Sequence, residues 1–250
     1  MRCGIACLIT ELPEPLSVRR LVSFSTAIQT GSIQVERMTA TRVKAIDEIH
    51  RVMDRGDIPV IADPALEITG SLRPAVVIDA RLRKRYIHEA TLSTQDIIGL
   101  GPGFIAGVNC LAVIETNRGP NLGRVIWHGS TEPDTGRPEQ VQEHSETRVL
   151  RAPAEGHLQN RFAIQDLVRA GDIITTIDGY NLCAAFDGVI RGLLVDGTQV
   201  KTGMKIGDID PRGKPELAIR ISDKALAVGG GVLEAVLTDI ERRKLLLGKP

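Results

Sequence analysis

The sequence predicts an α/β fold in three parts: an α/β region built on a parallel sheet, a β-rich domain and a C-terminal helix. Two observations lead to this prediction. Short apolar runs alternate with helical patterns as far as about residue 115, and from residue 152 onward a 27-residue segment is followed by a second copy of itself. The predicted domains are 1–147, 148–222 and 223–250.

The first region contains strand-like runs and a segment of helical periodicity. Continuous apolar runs at 4–10, 58–62 and 75–78 predict buried strands, and residues 44–54 predict an amphipathic helix. Strands that are joined through helices form parallel sheets covered on both faces. We therefore expect a doubly wound sheet whose ligands bind beyond the carboxyl ends of the strands.

Acidic residues follow each of these predicted strands. Glu11, Asp63 and Asp79 stand at the carboxyl ends, where a parallel sheet binds its ligands. The alternative role is local, because an acidic residue before a loop commonly accepts a hydrogen bond from its own turn.

The composition excludes several classes of function. Lysine plus arginine and aspartate plus glutamate both number 31, so no overall field attracts the chain to nucleic acid or to an anionic membrane. Aromatic residues make up 3% of the chain, too few for the stacking platforms that bind single-stranded nucleic acid. The four cysteines show neither disulfide nor zinc spacing, which predicts a reducing, cytoplasmic compartment and no metal site.

The second region contains an internal repeat. Residues 152–178 align with 184–210 without a gap, and the two copies share seven identical positions. Two such copies would close into a small sandwich, which resembles the barrel-sandwich fold of biotinyl and lipoyl carrier domains. Those carriers bear a modified lysine in the hairpin between the copies, whereas residues 178–183 contain no lysine. We therefore expect a docking or lid module rather than a covalent carrier.

The third region predicts a C-terminal helix. Ser222 is placed to cap it, and three consecutive glycines at 229–231 precede its main apolar stripe. These glycines indicate a flexible joint or, alternatively, a set of free amides that can hold an anion.

The glycine-rich stretch 99–125, GLGPGFIAGVNCLAVIETNRGPNLGRV, is the candidate binding site. It holds six of the 25 glycines of the chain. Its GLGPG start is expected to lie outside regular structure, where the N–H groups of Gly101 and Gly103 can converge on a phosphate or carboxylate. The alternative is a tight turn between a strand and a helix.

A polar run follows the apolar residues 111–114. Thr116 and Asn117 can recognise the edge of a base or pterin, and Glu115 can accept a hydrogen bond from a ring N–H or a ribose. Arg118 and Arg124 can clamp a phosphate, although an ion pair between Glu115 and Arg118 would fasten the loop instead. The predicted binding residues are Gly101, Gly103, Asn109, Glu115, Thr116, Asn117, Arg118 and Arg124.

Cys110 is the candidate catalytic residue. A thiol near glycine-loop amides can become nucleophilic, whereas a buried thiol serves only packing. The five histidines are scattered and form no Ser-His-Asp order, so the sequence assigns no reaction.

Four motifs together resemble the YqeB family of the selenium-dependent molybdenum hydroxylase system. They are GLGPGFIAGVNCLAVIETNRGPNLGRVI (99–126), RVLRAP (148–153), KIGDIDPRG (205–213) and ISDKALAVGGGVLEAVL (221–237). The resemblance covers almost the whole chain. It implies a Rossmann-like first domain and an accessory or maturation factor whose partners are a molybdenum hydroxylase or its maturation machinery.

The N-terminus departs from the family pattern. Members begin with a strand and a glycine-rich turn of the type GGGDLATG before the segment that matches 7–20 here. We therefore expect one of two explanations. Either the start site is misplaced and the strand and turn are encoded upstream, or the Rossmann-like sheet is incomplete and nucleotide binding through that turn is lost. Glu11 would stand where such a fold keeps its ribose-binding carboxylate.

The resulting functional prediction is an accessory factor that binds a phosphorylated nucleotide- or molybdopterin-type cofactor at the 99–124 loop. The alternatives are an NAD(P)-dependent oxidoreductase, favoured by the α/β region alone, and a non-catalytic scaffold in which the loop is only a rigid turn.

Overall fold

The computed structural model describes residues 3–86, 97–134 and 147–247. Its strands are β1 Ile9–Glu11, β2 Ser32–Val35, β3 Met38–Val43, β4 Ile58–Ala62, β5 Val77–Asp79, β6 Ile97–Leu100, β7 Ile105–Ala106, β8 Ala112–Ile114, β9 Val125–Ile126, β10 Gly129–Ser130, β11 Val149–Arg151, β12 Gly156–Asn160, β13 Leu167–Val168, β14 Ile173–Ile177, β15 Tyr180–Cys183, β16 Gly188–Leu193, β17 Gln199–Val200 and β18 Lys205–Asp210. Its α-helices are α1 Ala27–Thr30, α2 Ile46–Asp54, α3 Ile68–Leu72, α4 Asp223–Thr238 and α5 Ile240–Leu247, and short 3-10 helices lie at Arg20–Val22, Phe24–Thr26 and Pro215–Ala218.

The chain divides into two compact units. Among the described residues, unit 1 comprises 7–66 and 147–220, and unit 2 comprises 3–6, 67–86, 97–134 and 221–247. The grouping differs from the sequential division at 147 and 222, because the first region contributes residues to both units. Whether the three predicted domains fold independently stays a prediction.

The expected mixture of α and β structure is confirmed, but the parallel strands are divided between two sheets. In unit 1, β1, β4 and β3 are parallel and β2 completes the sheet in antiparallel orientation. In unit 2, β5, β6 and β8 are parallel and β9 is the antiparallel edge strand. A single parallel sheet does not form over the described residues because β5 hydrogen-bonds to β6 and not to a strand of unit 1.

Helix α2 and strand β4 confirm the clearest local predictions. Ile49 and Val52 of α2 are buried, as expected for the apolar face of an amphipathic helix. The carboxylate of Glu48 accepts the Lys44 N–H at 2.7 Å, which satisfies a backbone donor just ahead of the helix. Gly56 follows with a φ of +80°, a backbone conformation that glycine adopts without strain.

The segment 149–210, which contains the internal repeat, forms two four-stranded antiparallel sheets in unit 1. The β16 sheet has the order β11-β18-β16-β13, and the β14 sheet has the order β15-β14-β12-β17. Each strand of the β14 sheet corresponds to a strand of the β16 sheet at an offset of about 32 residues along the chain. The apolar positions that the two copies share are all buried in one core: Ala152 and Ala184, Leu158 and Ile190, Val168 and Val200, Ile174 and Ile206, Ile177 and Ile209.

The C-terminal segment forms two helices rather than one, and the prediction of a flexible glycine joint is wrong. Ser222 caps α4 by accepting the Ala225 N–H at 3.1 Å, as predicted. Helix α4 then runs continuously through the three glycines. A Cβ on Gly231 would lie 2.0 Å from the carbonyl oxygen of Gly123, so close packing against the 115–124 loop explains glycine there. Asp239 separates α4 from α5.

Candidate functional site

The carboxyl ends of three parallel strands meet at one edge of the sheet in unit 2. Strands β5, β6 and β8 end at Asp79, Leu100 and Ile114, and the segments that follow them form the rim of this edge. The candidate stretch supplies two of the three segments. The position agrees with the expectation that ligands of parallel sheets bind beyond strand ends.

The GLGPG segment is more regular than expected. Gly99 and Leu100 belong to β6, which corrects the prediction that the segment lies outside regular structure. Glycine is needed at 99 because a Cβ there would stand 2.2 Å from Cγ of Phe104. The Gly101 N–H donates to the Ile114 carbonyl at 3.1 Å, and the Gly103 N–H donates to the Arg83 carbonyl at 2.8 Å. These two amides therefore hold the loop in place.

Glu115 organises the rim from within the protein. Its side chain is buried, and its two carboxylate oxygens accept the N–H groups of Asn117 at 2.6 Å and Glu132 at 2.8 Å. Its carbonyl accepts the Gly123 N–H at 2.9 Å. A buried carboxylate needs such donors, and here they fix the position of the 130–134 segment.

The other predicted polar residues also bind within the rim. The Asn117 amide donates to the Glu132 carboxylate at 2.7 Å, and the Asn121 amide donates to the same group at 3.0 Å. Hydrogen bonds from Asn121 and Asn117 lower the pKa of Glu132. The side-chain amide oxygen of Asn109, Oδ1, accepts the Ile105 N–H at 2.7 Å.

Thr116 lies beside the GLGPG loop. Its side chain is buried, and its hydroxyl oxygen is 3.0 Å from the place that a Cβ on Gly101 would occupy. Gly101 has a φ of +86°, so both its backbone conformation and this contact favour glycine. Thr116 therefore packs against the loop that leads into the rim.

Arg118 fastens the loop to helix α4. Its guanidinium forms a two-point ion pair with Asp223, the first residue of α4, at 2.5 and 2.9 Å. The hydrogen bonds from Arg118 hold the pKa of the Asp223 carboxyl well below its usual range. This is the loop-fastening role that the sequence left open, with Asp223 as partner. Arg124 is exposed, and its N–H donates to the Asn121 carbonyl at 2.9 Å.

Cys110 lies in a small apolar cluster. Its side chain is 1% exposed and packs with Phe104, Ala106 and Val113. Burial raises the pKa of its thiol to about 11. A thiol with that pKa is protonated at neutral pH, which favours the packing role over the nucleophilic one.

The acids at strand ends bind their own turns. Glu11 accepts the Leu12 N–H at 2.8 Å, and Asp79 accepts the Arg81 N–H at 3.1 Å. Burial disfavours the charge on Asp79, but its hydrogen bonds from Arg81 outweigh this effect and lower its pKa. The local alternative is thus realised at Glu11 and Asp79.

A cavity of about 450 Å³ opens at the rim, and we call it the edge cavity. It lies beside the GLGPG loop and the segment that Glu115 positions. Its lining residues are Lys84, Arg85, Pro102, Ser130, Thr131, Pro133 and Asp134. A volume of this size is within the range of small-molecule sites, which is about 300–1,000 Å³.

The cations of the edge cavity were not among the predicted binding residues. Lys84 forms an ion pair with Asp134 at 2.9 Å and remains largely exposed, and Arg85 lines the cavity beside it. Both belong to the basic run 81–85, RLRKR, which follows β5. A basic run directly after a predicted strand is the sequence feature that could have indicated these two cavity residues.

Comparison with known proteins gives one informative relative. No family model matches the chain. Over 234 residues, however, it is 42% identical to the uncharacterized protein YqeB of Escherichia coli (strain K12). The similarity agrees with the expected resemblance of the chain to the YqeB family. The alignment covers 94% of this chain and spans 43% of the length of that relative, so the activity and partners of the whole protein are matters for proposal.

The helices of the described residues were also compared with the requirements of a membrane span. None of those in 3–86, 97–134 and 147–247 has the length and apolar character needed to cross a bilayer.

Proposed function

We propose that the chain binds a phosphorylated nucleotide- or pterin-like ligand in the edge cavity, as part of an accessory factor for a molybdenum hydroxylase system. The observation that carries the binding proposal is the edge cavity itself. It combines two cationic side chains, Lys84 and Arg85, with two hydroxyl side chains, Ser130 and Thr131, at the carboxyl edge of parallel strands. This combination suits a phosphate group.

The proposal moves the phosphate contacts away from Arg118 and Arg124. Arg118 is engaged with Asp223, and neither arginine is a lining residue of the edge cavity. Lys84 pairs with Asp134, and both residues line the edge cavity. A phosphate bound there can therefore replace the Asp134 carboxylate as the partner of Lys84. Pro102 supplies an apolar surface for the ring of the ligand.

Two relationships of the fold to known folds are part of the same proposal. A Rossmann-like ancestry is supported by the parallel strands of both units, and a barrel-sandwich relationship is supported by the strand pairing of the repeat. The molybdenum assignment is supported by the resemblance of the four motifs to the YqeB family. It therefore needs an experiment that is separate from the binding test.

The binding test is a thermal-shift and calorimetric titration with ADP and a pterin phosphate. A ligand at 100 times its dissociation constant adds roughly 2.7 kcal/mol to the free energy of unfolding. We expect the double substitution Lys84→Gln and Arg85→Gln to weaken binding by about tenfold or more, since charge-assisted hydrogen bonds to phosphate are lost. The matched control is Arg243→Gln on α5, which replaces an exposed arginine outside the edge cavity.

Arg124→Gln decides between the two versions of the site. Loss of binding in Arg124→Gln, with unchanged binding in the Lys84 and Arg85 double variant, would place the phosphate contacts at the 115–124 loop. No saturable binding of either probe by the wild-type chain would overturn the binding proposal.

The molybdenum assignment is tested in the native host. Deleting the gene should lower the activity of a molybdenum hydroxylase, and the wild-type gene should restore it whereas the Lys84 and Arg85 double variant should not. Unchanged hydroxylase activity in the deletion strain would contradict this assignment and leave the binding result standing.

A further inference from the structure

A group of charged side chains lies on the outer face of the β16 sheet in unit 1. Arg191 projects from β16, and Asp208 and Asp210 project from β18, on the side opposite the buried Ile190 and Ile209. Residues 18–22 cover part of this face. The Leu193 N–H donates to the Val18 carbonyl at 2.9 Å, and Nε of Arg20 donates to the Leu193 carbonyl at 3.1 Å.

The charges alternate along a continuous chain of contacts. Oδ2 of Asp208 lies 2.9 Å from Arg148 and 4.0 Å from Arg191. Oδ2 of Asp210 lies 3.7 Å from Arg191 and 2.5 Å from Arg212. These contacts join three guanidinium groups to two carboxylates. We call these five residues the cationic cluster.

Further positive charge surrounds the cationic cluster. Lys205 lies within electrostatic reach of Asp208, and Arg19 lies within reach of both carboxylates and of Arg191. Burial, followed by repulsion from Arg191, lowers the pKa of Arg19 to about 10. Since the whole chain has a formal net charge of zero, this excess is a local property of the sheet.

Several buried polar atoms at the cationic cluster lack hydrogen-bond partners. They include the Nε atoms of Arg19 and Arg191 and Oδ1 of Asp208, which are inaccessible to solvent and have no hydrogen-bond partner within the described part of the chain. Almost all buried polar groups in proteins are hydrogen-bonded, so such exceptions require an explanation. An acceptor-rich group bound at this face would supply one.

The repeat shows that the fold does not require three of these charges, whereas Asp210 has an identical equivalent in Asp178. At the equivalent positions of the β14 sheet, Gln159 replaces Arg191 and Thr176 replaces Asp208, while Ile173 replaces Lys205. The β14 sheet has the same strand order and shares the same core. Buried charges are costly to retain without a role.

We propose that the outer face of the β16 sheet binds a small oxyanion of the phosphate class at the Arg191–Arg212 end of the cationic cluster. These two guanidinium groups share one carboxylate oxygen, and their side chains are 16% and 39% exposed. Arg212 already donates from Nε and Nη2 to the Asp210 carboxylate. A phosphate would therefore accept from other N–H groups of these two arginines, as the guanidinium fork allows. The site lies in unit 1 and is independent of the edge cavity in unit 2.

The experiment is a calorimetric titration of the full chain with inorganic phosphate. We expect Arg191→Gln to weaken phosphate binding about tenfold or more. Glutamine is the residue that the repeat carries at the equivalent position 159, so the fold accepts it on this face. The matched control is Arg169→Gln, which replaces an exposed arginine directly after β13 of the same unit. This change should leave the affinity for phosphate unchanged.

A second variant guards against a folding defect in the first. Arg212→Gln changes a more exposed end of the cationic cluster and should also weaken binding, while far-ultraviolet circular dichroism stays native. The Lys84 and Arg85 double variant should still bind phosphate through the cationic cluster. Unchanged affinity in both Arg191→Gln and Arg212→Gln, loss of phosphate binding in the Lys84 and Arg85 double variant alone, or no saturable binding by the wild-type chain would overturn the proposal.

Discussion

The two sheets of the repeat share a backbone design but differ on their outer faces. Their inward positions carry matching apolar residues and fill one core. On the outer face of the β14 sheet, Gln159, Asp178 and Tyr180 are exposed to solvent. On the outer face of the β16 sheet, Asp208 and Asp210 are buried among arginines. Inward residues thus define the fold, whereas the outward residues differ between the two sheets.

Glycine placement follows the same division. Gly192 of β16 lies under the chain that covers the sheet, and a Cβ there would stand 2.8 Å from Cγ1 of Val18. The repeat carries Asn160 at the equivalent position of β12, where the amide donates to the Leu194 carbonyl at 3.0 Å. Strand β16 therefore carries glycine where residues 18–22 lie against it, whereas β12 carries a side chain at the equivalent position.

The largest effect is expected from Arg148→Ala. This change leaves the buried carboxylate of Asp208 without its 2.9 Å partner, and breaking a buried pair costs about 3–5 kcal/mol. Tyr180→Ala, at the equivalent position and the first residue of β15, should change the free energy of unfolding by no more than about 0.5 kcal/mol. Urea unfolding followed by circular dichroism measures both, and equal losses would contradict the asymmetry between the sheets.

A smaller loss is expected from Gly192→Ala. The added methyl group would force residues 18–22 away from the β16 sheet, and overpacking of this kind costs about 1–3 kcal/mol. Gly229→Ala is the matched control, because a Cβ at that helical position has nothing within 4 Å. Limited proteolysis should cut the 12–22 segment faster in Gly192→Ala only. Identical cleavage of the two variants would show that the covering segment is not held there.

Acidification should remove the contribution of Asp210 to the free energy of unfolding. Burial disfavours its charge, but hydrogen bonds from Arg212 outweigh burial and lower its pKa. The unfolded chain therefore takes up the proton first, so the contribution of Asp210 is present above its ordinary pKa of about 3.9 and is lost as the pH falls through the lower folded value. Asp210→Asn should be less stable than wild type at pH 7, and the difference should shrink below about pH 4. A constant difference in urea midpoint from pH 7 to pH 3 would refute this.

The smallest effect is expected from Gln159→Arg. An arginine on the exposed face of β12 has no neighbouring cationic cluster, so stability should change by less than about 0.5 kcal/mol. Phosphate affinity should also stay unchanged. A gain in phosphate affinity would show that a single added arginine is sufficient and that the arrangement around Asp208 and Asp210 is not needed.

Local patterns in the sequence predicted the elements whose partners are close along the chain. The helix at 44–54 and the buried run 58–62 were readable because their periodicity depends on burial alone. The repeat was readable because identical inward positions recur at one offset. The helix through Gly229–Gly231 was missed because Gly231 serves a contact with Gly123, more than 100 residues away.

The place of the stretch 99–124 at a sheet edge could be predicted from the sequence, but the contacts of its side chains could not. The stretch 99–124 does lie at the carboxyl edge of parallel strands, yet Glu115 and Asn109 bind backbone groups and Arg118 binds Asp223. Side-chain chemistry identifies what these residues can bind, whereas their partners depend on which segments meet in three dimensions. The cationic cluster was hidden for the same reason, although the charges present in only one copy of the repeat were a signal.

Ligand binding in the edge cavity is tested most directly by a crystal structure of the full chain soaked with ADP. We expect electron density for the diphosphate between Lys84 and Arg85, with the ring near Pro102. Density for the diphosphate against Arg118 and Arg124, or none in the edge cavity at a concentration that saturates binding in solution, would contradict this expectation.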